Sequence, residues 1–337
     1  MATNIIMLNQ IIHGDCFEVM KDIPDNSINL ICTDPPYFKV KKDSWDRQWD
    51  KPEHFLEWID RAAEQWQRVL KPNGSLYCFA SPKMSARVEV KLGERLNIIN
   101  RVTWQKPPFS TKAEMFVKED LRRFFPTSES IIFCEHYGAE KRGVVGEFLR
   151  ARRLKAQTTC DAIEKTLGYI DSKGRGSRLF YRWETGDSLP TSEDFCNALK
   201  ALRDTRPLEE IKREYEELRR PFNVTANVPY TDVWTFPTVS AYKGKHPCEK
   251  PLELIKHIIK SSSREGDLVL DPFCGSGTTA VACKELNRNY ICIEKEKEYF
   301  DIACDRISQP REYSETELEI MELNKPEFEQ LSLLDLV

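Results

Sequence analysis

No apolar stretch of this chain approaches the roughly 20 residues that a bilayer-spanning helix requires, so a transmembrane helix is excluded. The first residues, Met1 to Gln10, lack the basic, apolar and cleavage segments of a secretory leader, and a cytoplasmic location is expected. Although there are eleven cysteines, no C-x-x-C pair occurs. That absence argues against structural zinc, and no metal site is expected. Cys32, Cys78, Cys134 and Cys292 lie inside apolar runs, which suits buried, reduced thiols better than a disulfide scaffold. A uniformly basic surface is also missing, since the formal net charge is −4. No internal repeat is visible.

What is present is a chain of 337 residues, 40% hydrophobic and 31% charged, enough for a large catalytic core and an insert. Its charge is segregated. Lys141 to Arg182 holds eleven basic and four acidic residues, whereas Arg311 to Val337 holds two basic and eight acidic ones. A basic middle allows local binding of a polyanion without a basic whole.

Residues 1–137 alternate short apolar runs with amphipathic stretches. Ile28 to Thr33 reads as a buried strand, and Phe55 to Leu70 as a helix with Phe55, Ile59, Ala62, Ala63 and Trp66 at helical spacing. Lys71-Pro-Asn-Gly74 supplies a helix stop and a turn before a strand at Ser75 to Ala80. Further strands are expected at Ile98 to Gln105 and Ser130 to Glu135. Residues 138–221 form a basic, helical insert. Residues 222–310 resume the alternation: a helix at Leu252 to Ser261, a strand at Leu268 to Asp271, a helix at Thr278 to Leu286 and a strand at Tyr290 to Glu294. Residues 311–337 are an acidic tail. Such alternation favours a mainly parallel sheet covered on both faces.

Two motifs carry chemistry. In Asp271-Pro-Phe-Cys-Gly-Ser-Gly277, followed by Thr278 and Thr279, a strand ends in an acid, turns tightly and opens a helix. Glycines admit a ligand close to the backbone, and free helix N–H groups favour its anionic end. Downstream, Glu294 ends another strand, placed to accept hydrogen bonds from ribose hydroxyls in the manner of a doubly wound nucleotide site. The second motif is Asp34-Pro-Pro-Tyr37, directly after a buried strand. Its prolines fix the backbone, so the Asp34 carboxylate and the Pro35 carbonyl face one position rigidly. An exocyclic base amine is a poor nucleophile because its lone pair is conjugated with the ring. Two acceptors on its N–H groups draw that lone pair toward a methyl donor, while Tyr37 stacks on an extruded base. Taken alone, Asp-Pro-Pro also suits an ordinary strand-ending turn; beside the first motif that reading recedes.

In combination these motifs resemble the amino-methylating DNA methyltransferases of the permuted, beta class, in which the catalytic tetrapeptide precedes the cofactor turn. Gly14-Asp15-Cys16 and His246-Pro-x-x-Lys-Pro251 match as well, and the resemblance covers roughly residues 9–137 and 222–307. It implies an α/β fold: a doubly wound, mixed but mainly parallel, seven-stranded Rossmann-like sheet with a helical target-recognition insert. It further implies S-adenosylmethionine as cofactor. Asp15 would contact its adenine and Glu294 its ribose, with Phe273, Gly275 and Gly277 around the methionine portion. Cys16, Asp271, Pro272, Ser276, Thr278 and Thr279 complete the set, and Lys250 and Pro251 begin a helix closing over the cofactor. Asp34 favours adenine N6 in double-stranded DNA, since the family's N4-cytosine enzymes more often carry Ser there. N4-cytosine remains the alternative, and a non-catalytic DNA-binding regulator on a methylase fold is the rival from another class.

Within the insert, Gly146 to Cys160 suits a helix lying across a phosphate backbone. Tyr181 to Gly186, Leu189-Pro-Thr191 and a helix through Phe195, Leu199 and Leu202 resemble the latter half of a repressor-type helix-turn-helix, without a clear recognition helix. Arg175, Arg178 and Arg182 are candidate DNA contacts, or else part of a solvated basic surface. In the tail, Gln330-Leu-Ser-Leu-Leu334 resembles the peptide that docks bacterial DNA-processing proteins on the replication sliding clamp, although packing on its own core is the simpler reading. The recognition sequence, a cognate restriction endonuclease and homodimer formation are left open.

Overall fold

In the computed structural model, which describes residues 8–40, 46–107, 124, 126–136, 139–222, 231–240 and 246–308, the apolar runs become strands of one sheet. The strands are β1 (Gln10–His13), β2 (Ile28–Thr33), β3 (Leu70–Ala80), β4 (Leu96–Gln105), β5 (Ser128–His136), β6 (Val233–Thr235), β7 (Leu268–Asp271) and β8 (Asn289–Glu294). The core helices are α1 (Cys16–Met20), α2 (Pro52–Val69) and α3 (Ser85–Gly93). The insert contributes α4 (Ala139–Lys155), α5 (Cys160–Thr166), α6 (Leu179–Thr185), α7 (Ser192–Ala201) and α8 (Leu208–Leu218). The chain then returns to the core with α9 (Leu252–Ser262), α10 (Thr278–Glu285) and α11 (Lys297–Ser308). No described helix is long and apolar enough to cross a membrane.

The strand order is β1-β8-β7-β2-β3-β5-β4-β6. Among the described strands only β5 runs against its neighbours, its Phe133 opposite Tyr77 of β3 and its Ile132 opposite Arg101 of β4. Among the described residues eight strands are present where the resemblance implied seven. Neither edge strand was read from the sequence: β1, of four residues, and β6, of three and parallel to β4, are too short for their alternation to register. The expected turn at residues 71–74 is instead an irregularity within β3: Leu70 pairs with Ile28, and Ser75 with Leu30.

Both faces of the sheet are covered. On one side α2 buries Phe55, Ile59, Ala62, Ala63, Trp66 and Val69, its large apolar side chains each contributing about 2 kcal/mol by burial. On the other side α9 and α10 bring Leu254, Ile255, Ile258 and Ala280 against Leu30, Val269 and Cys292. The insert has a separate core of Val145, Leu149, Ile163, Phe180, Trp183, Phe195, Leu199, Ile211 and Tyr215.

Candidate active site

Because β1, β8, β7 and β2 are adjacent and parallel, the residues that end or follow each of them meet at one rim. Asp15, Glu294, Asp271 and Asp34 therefore lie in register order, about 5 Å apart per strand. β5 runs the other way, so its first residues, Ser128 and Glu129, reach the same rim. A cavity of about 320 Å³ opens there. Its lining includes Asp15, Asp34, Pro35, Pro36, Tyr37, Lys250 and Gly275. The two motifs, more than two hundred residues apart, thus share one space.

On the β1–β8–β7 side, Asp15 caps α1 by accepting from Phe17 N–H (3.0 Å), and its other oxygen lies 3.2 Å from Lys295 Nζ. Glu294 is buried and accepts from the Gly275 and Glu296 amides at 2.8 Å each. Burial raises its pKa. Asp271 serves the turn itself: Thr279 donates to one oxygen (2.5 Å) and Phe273 N–H to the other (3.1 Å). Burial pushes the Asp271 carboxyl up to about 7. Pro272, Phe273, Ser276, Thr278, Thr279 and Cys16 also line the cavity.

Gly277 and Pro251 are not brought to the cavity wall. Gly277 (φ 79°) faces α11, where an added Cβ would lie 2.9 Å from that of Ala303, and Pro251 caps α9. Arg306, which the sequence gave no reason to single out, holds the turn from behind. It donates to Thr278 Oγ1 (3.1 Å) and Ser276 Oγ (3.2 Å) and pairs with Glu249 (3.3 Å).

The residues fit S-adenosylmethionine. A turn with positive φ at Gly275 and Gly277 opens α10, and the pinned Glu294 carboxylate suits ribose hydroxyls. Phe17, Trp58 and Phe273 form an aromatic wall, with centroid separations of 5.8 and 5.5 Å.

On the β2 side, Asp34 is half-buried. Its Oδ1 has no hydrogen-bond partner among the described residues, while Oδ2 accepts from the Lys250 ammonium. Lys250 was expected on the cofactor side; its ammonium instead sits on Asp34, over the rings of Phe79 (5.0 Å) and Tyr37 (5.5 Å). The Tyr37 hydroxyl lies near Asp34 but donates to Glu129 Oε2 at 3.1 Å. Burial raises the pKa of Asp34, against the opposing charge of Lys250. Burial also disfavours the Lys250 ammonium, yet Asp34 and Glu129 hold it charged. Glu129 is held low by Lys250 and Lys106 despite its own burial.

Comparison with known proteins gives this arrangement a family. The family described as DNA methylase matches residues 28–305. The chain belongs to that family. The methylase is 29% identical over 304 residues to the type II methyltransferase M.BglII of Bacillus subtilis, covering 89% of this chain and 69% of that one. It is 28% identical over 312 residues to the DNA adenine methyltransferase YhdJ of Escherichia coli, covering 91% and 85%. Among solved structures, the M1.HpyAVI–SAM complex aligns at TM-score 0.52 and 24% identity, covering 89% of this methylase and 99% of that chain. The cytosine-N4-specific PvuII DNA methyltransferase aligns at TM-score 0.54 and 17% identity, covering 93% and 90%. Those likenesses support the fold. The cofactor of the methylase is S-adenosylmethionine.

The insert is tied together by buried acids. Glu164 of α5 accepts from the amides of Arg178 (2.7 Å), Phe180 (2.8 Å) and Tyr181 (3.3 Å), satisfying the start of α6. Thr191 and Asp194 form a capping box on α7. The basic run of α4 is spent partly inside: Arg153 pairs with buried Glu184 through both Nε (2.6 Å) and Nη2 (3.1 Å), so it is not available to a phosphate. Arg175 pairs with Asp171 at 2.9 Å, whereas Arg178 stacks over Tyr181 at 5.1 Å. Arg178, Tyr181 and Arg182 are exposed on and beside α6. Gln330 to Leu334 lies outside the described residues.

Proposed function

We propose that this methylase transfers the methyl group of S-adenosylmethionine to N6 of adenine within a specific site in double-stranded DNA, after the base is flipped out of the helix. The observation that carries the reading is the free, buried Oδ1 of Asp34 in a cavity shared with the Gly275 turn. When bound, the cofactor supplies an electrophilic methyl group on a sulfonium. Asp34 Oδ1 and the Pro35 carbonyl each accept one N–H of the target amine, and the rigid Pro35-Pro36 backbone holds both acceptors in place. Tyr37 lines the cavity where the flipped base would stack. The adenine assignment draws on Asp34 and on the naming of the E. coli relative as an adenine enzyme. N4 of cytosine is the second reading, as the structurally similar PvuII DNA methyltransferase is cytosine-N4-specific.

Asp34→Ala should abolish tritium transfer to unmethylated DNA while leaving cofactor affinity nearly unchanged; lost cofactor affinity with an intact fold would refute the assignment. Single-molecule sequencing of DNA from an expressing host identifies the base and the recognition site. We further place the methylase in the bacterial cytoplasm, with the α6 face of the insert on duplex DNA. The Gln330–Leu334 peptide is kept as a sliding-clamp ligand, tested by pull-down with and without Glu329 to Val337. A restriction endonuclease or a second copy of the chain as partner would be sought by co-purification.

A further inference from the structure

Two half-buried acids share a single lysine at the rim. Lys250 Nζ touches Asp34 Oδ2 and stands 3.7 Å from Glu129 Oε2. Glu129 is fixed from two further sides, by Lys106 Nζ at 2.6 Å and by the Tyr37 hydroxyl at 3.1 Å. It stands there because β5 is reversed and begins where the other strands end. Side-chain exposure at this cluster is only 8% for Lys250, 16% for Glu129 and 19% for Asp34, so water does little to screen their charges.

We infer that Glu129 is a positioning residue for methyl transfer: it draws the Lys250 ammonium partly off Asp34, so that Oδ2 is capped without the full ammonium charge and the unpartnered Oδ1 stays a strong acceptor for the target amine. The inference rests on the reading of Asp34 as the acceptor for that amine. Without Lys250, Asp34 and Glu129 would be like charges buried together, and one would take up a proton. Without Glu129, the full ammonium charge would fall on Asp34 and weaken it as an acceptor. The remaining ionisable groups around Asp34 are Tyr37, Cys32 on β2, Cys78 on β3, Asp271 on β7 and Cys248 ahead of α9. Of these, burial carries Asp271 up to about 7, and it is common to every variant compared below.

The test is the pH–rate profile of tritium transfer from labelled S-adenosylmethionine to unmethylated duplex DNA, across about pH 5–9. Glu129→Gln keeps an acceptor for Tyr37 but removes the charge. It should lower the plateau rate about tenfold and move the acid limb to lower pH. Lys250→Met should move that limb to higher pH, by about one unit or more. Glu129→Asp should return the limb to its wild-type position. Opposite displacements are something a merely structural role would not produce. Limbs that stay put, limbs that move together, or a Glu129→Asp limb displaced as far as that of Glu129→Gln each overturn the inference. Should Glu129→Gln fail to fold, as judged by lost cofactor binding, Glu129→Ala takes its place, with the same displacement to lower pH expected and the same results overturning the inference. Asp34→Ala separates the two layers: wild-type transfer there condemns the Asp34 reading, whereas a dead Asp34→Ala beside unshifted limbs condemns only the role of Glu129.

Discussion

Two glycines with nearly the same backbone conformation allow the cofactor turn to be probed by difference. Gly277 has φ 79° and Gly266 has φ 80°, yet an added Cβ meets nothing within 4 Å at Gly266 and lies 2.9 Å from Ala303 Cβ at Gly277. In each case alanine incurs the left-handed penalty of about 1–2 kcal/mol, offset by the entropy it removes from the unfolded chain, about 0.4–1 kcal/mol. Only at Gly277 does overpacking against α11 add a further ~1–3 kcal/mol, since a 2.9 Å carbon contact demands that one element move. Gly277→Ala should therefore destabilise the methylase by about 1–3 kcal/mol more than Gly266→Ala in urea denaturation. Since α11 carries Arg306, the displaced helix should also loosen the turn and weaken S-adenosylmethionine binding by calorimetry, with Gly266→Ala unaffected. Ala303→Gly in the same chain should erase the excess cost of Gly277→Ala. Equal costs for the two alanines, or an excess that survives Ala303→Gly, would refute the packing argument.

Other consequences follow from charge. The folded chain keeps a proton on Asp271 up to about pH 7, whereas an unfolded aspartate loses it near 4. Between those values the folded state binds more protons, so stability should fall as pH rises through that window, by up to about 4 kcal/mol. Asp271→Asn should flatten this slope in denaturation curves; an unchanged slope would place the proton elsewhere. In the insert, Arg178→Glu with Arg182→Glu should weaken DNA binding and reduce its dependence on salt, read by fluorescence anisotropy at several ionic strengths. Binding that is untouched removes both from the interface.

Local order was legible because it is written in local pattern. Ile28 to Thr33, Leu268 to Asp271 and the α2 helix were found by periodicity, and both motifs were found because backbone constraint and chemistry coincide in a few consecutive residues. The sequence also sufficed to bring Asp34 and Gly275 together in expectation, since each lies in the turn that follows a buried strand. Tertiary structure decided what local pattern does not encode. The direction of β5 depends on which neighbours it pairs with, and that direction alone carries Glu129 to the rim. The ammonium of Lys250 could be read as a cofactor contact until packing placed it between two acids. Arg153 counted toward a basic surface until Glu184 was found buried beneath it. Periodicity reports which face of an element is dry, whereas the partner of a charge is chosen by residues distant in the chain.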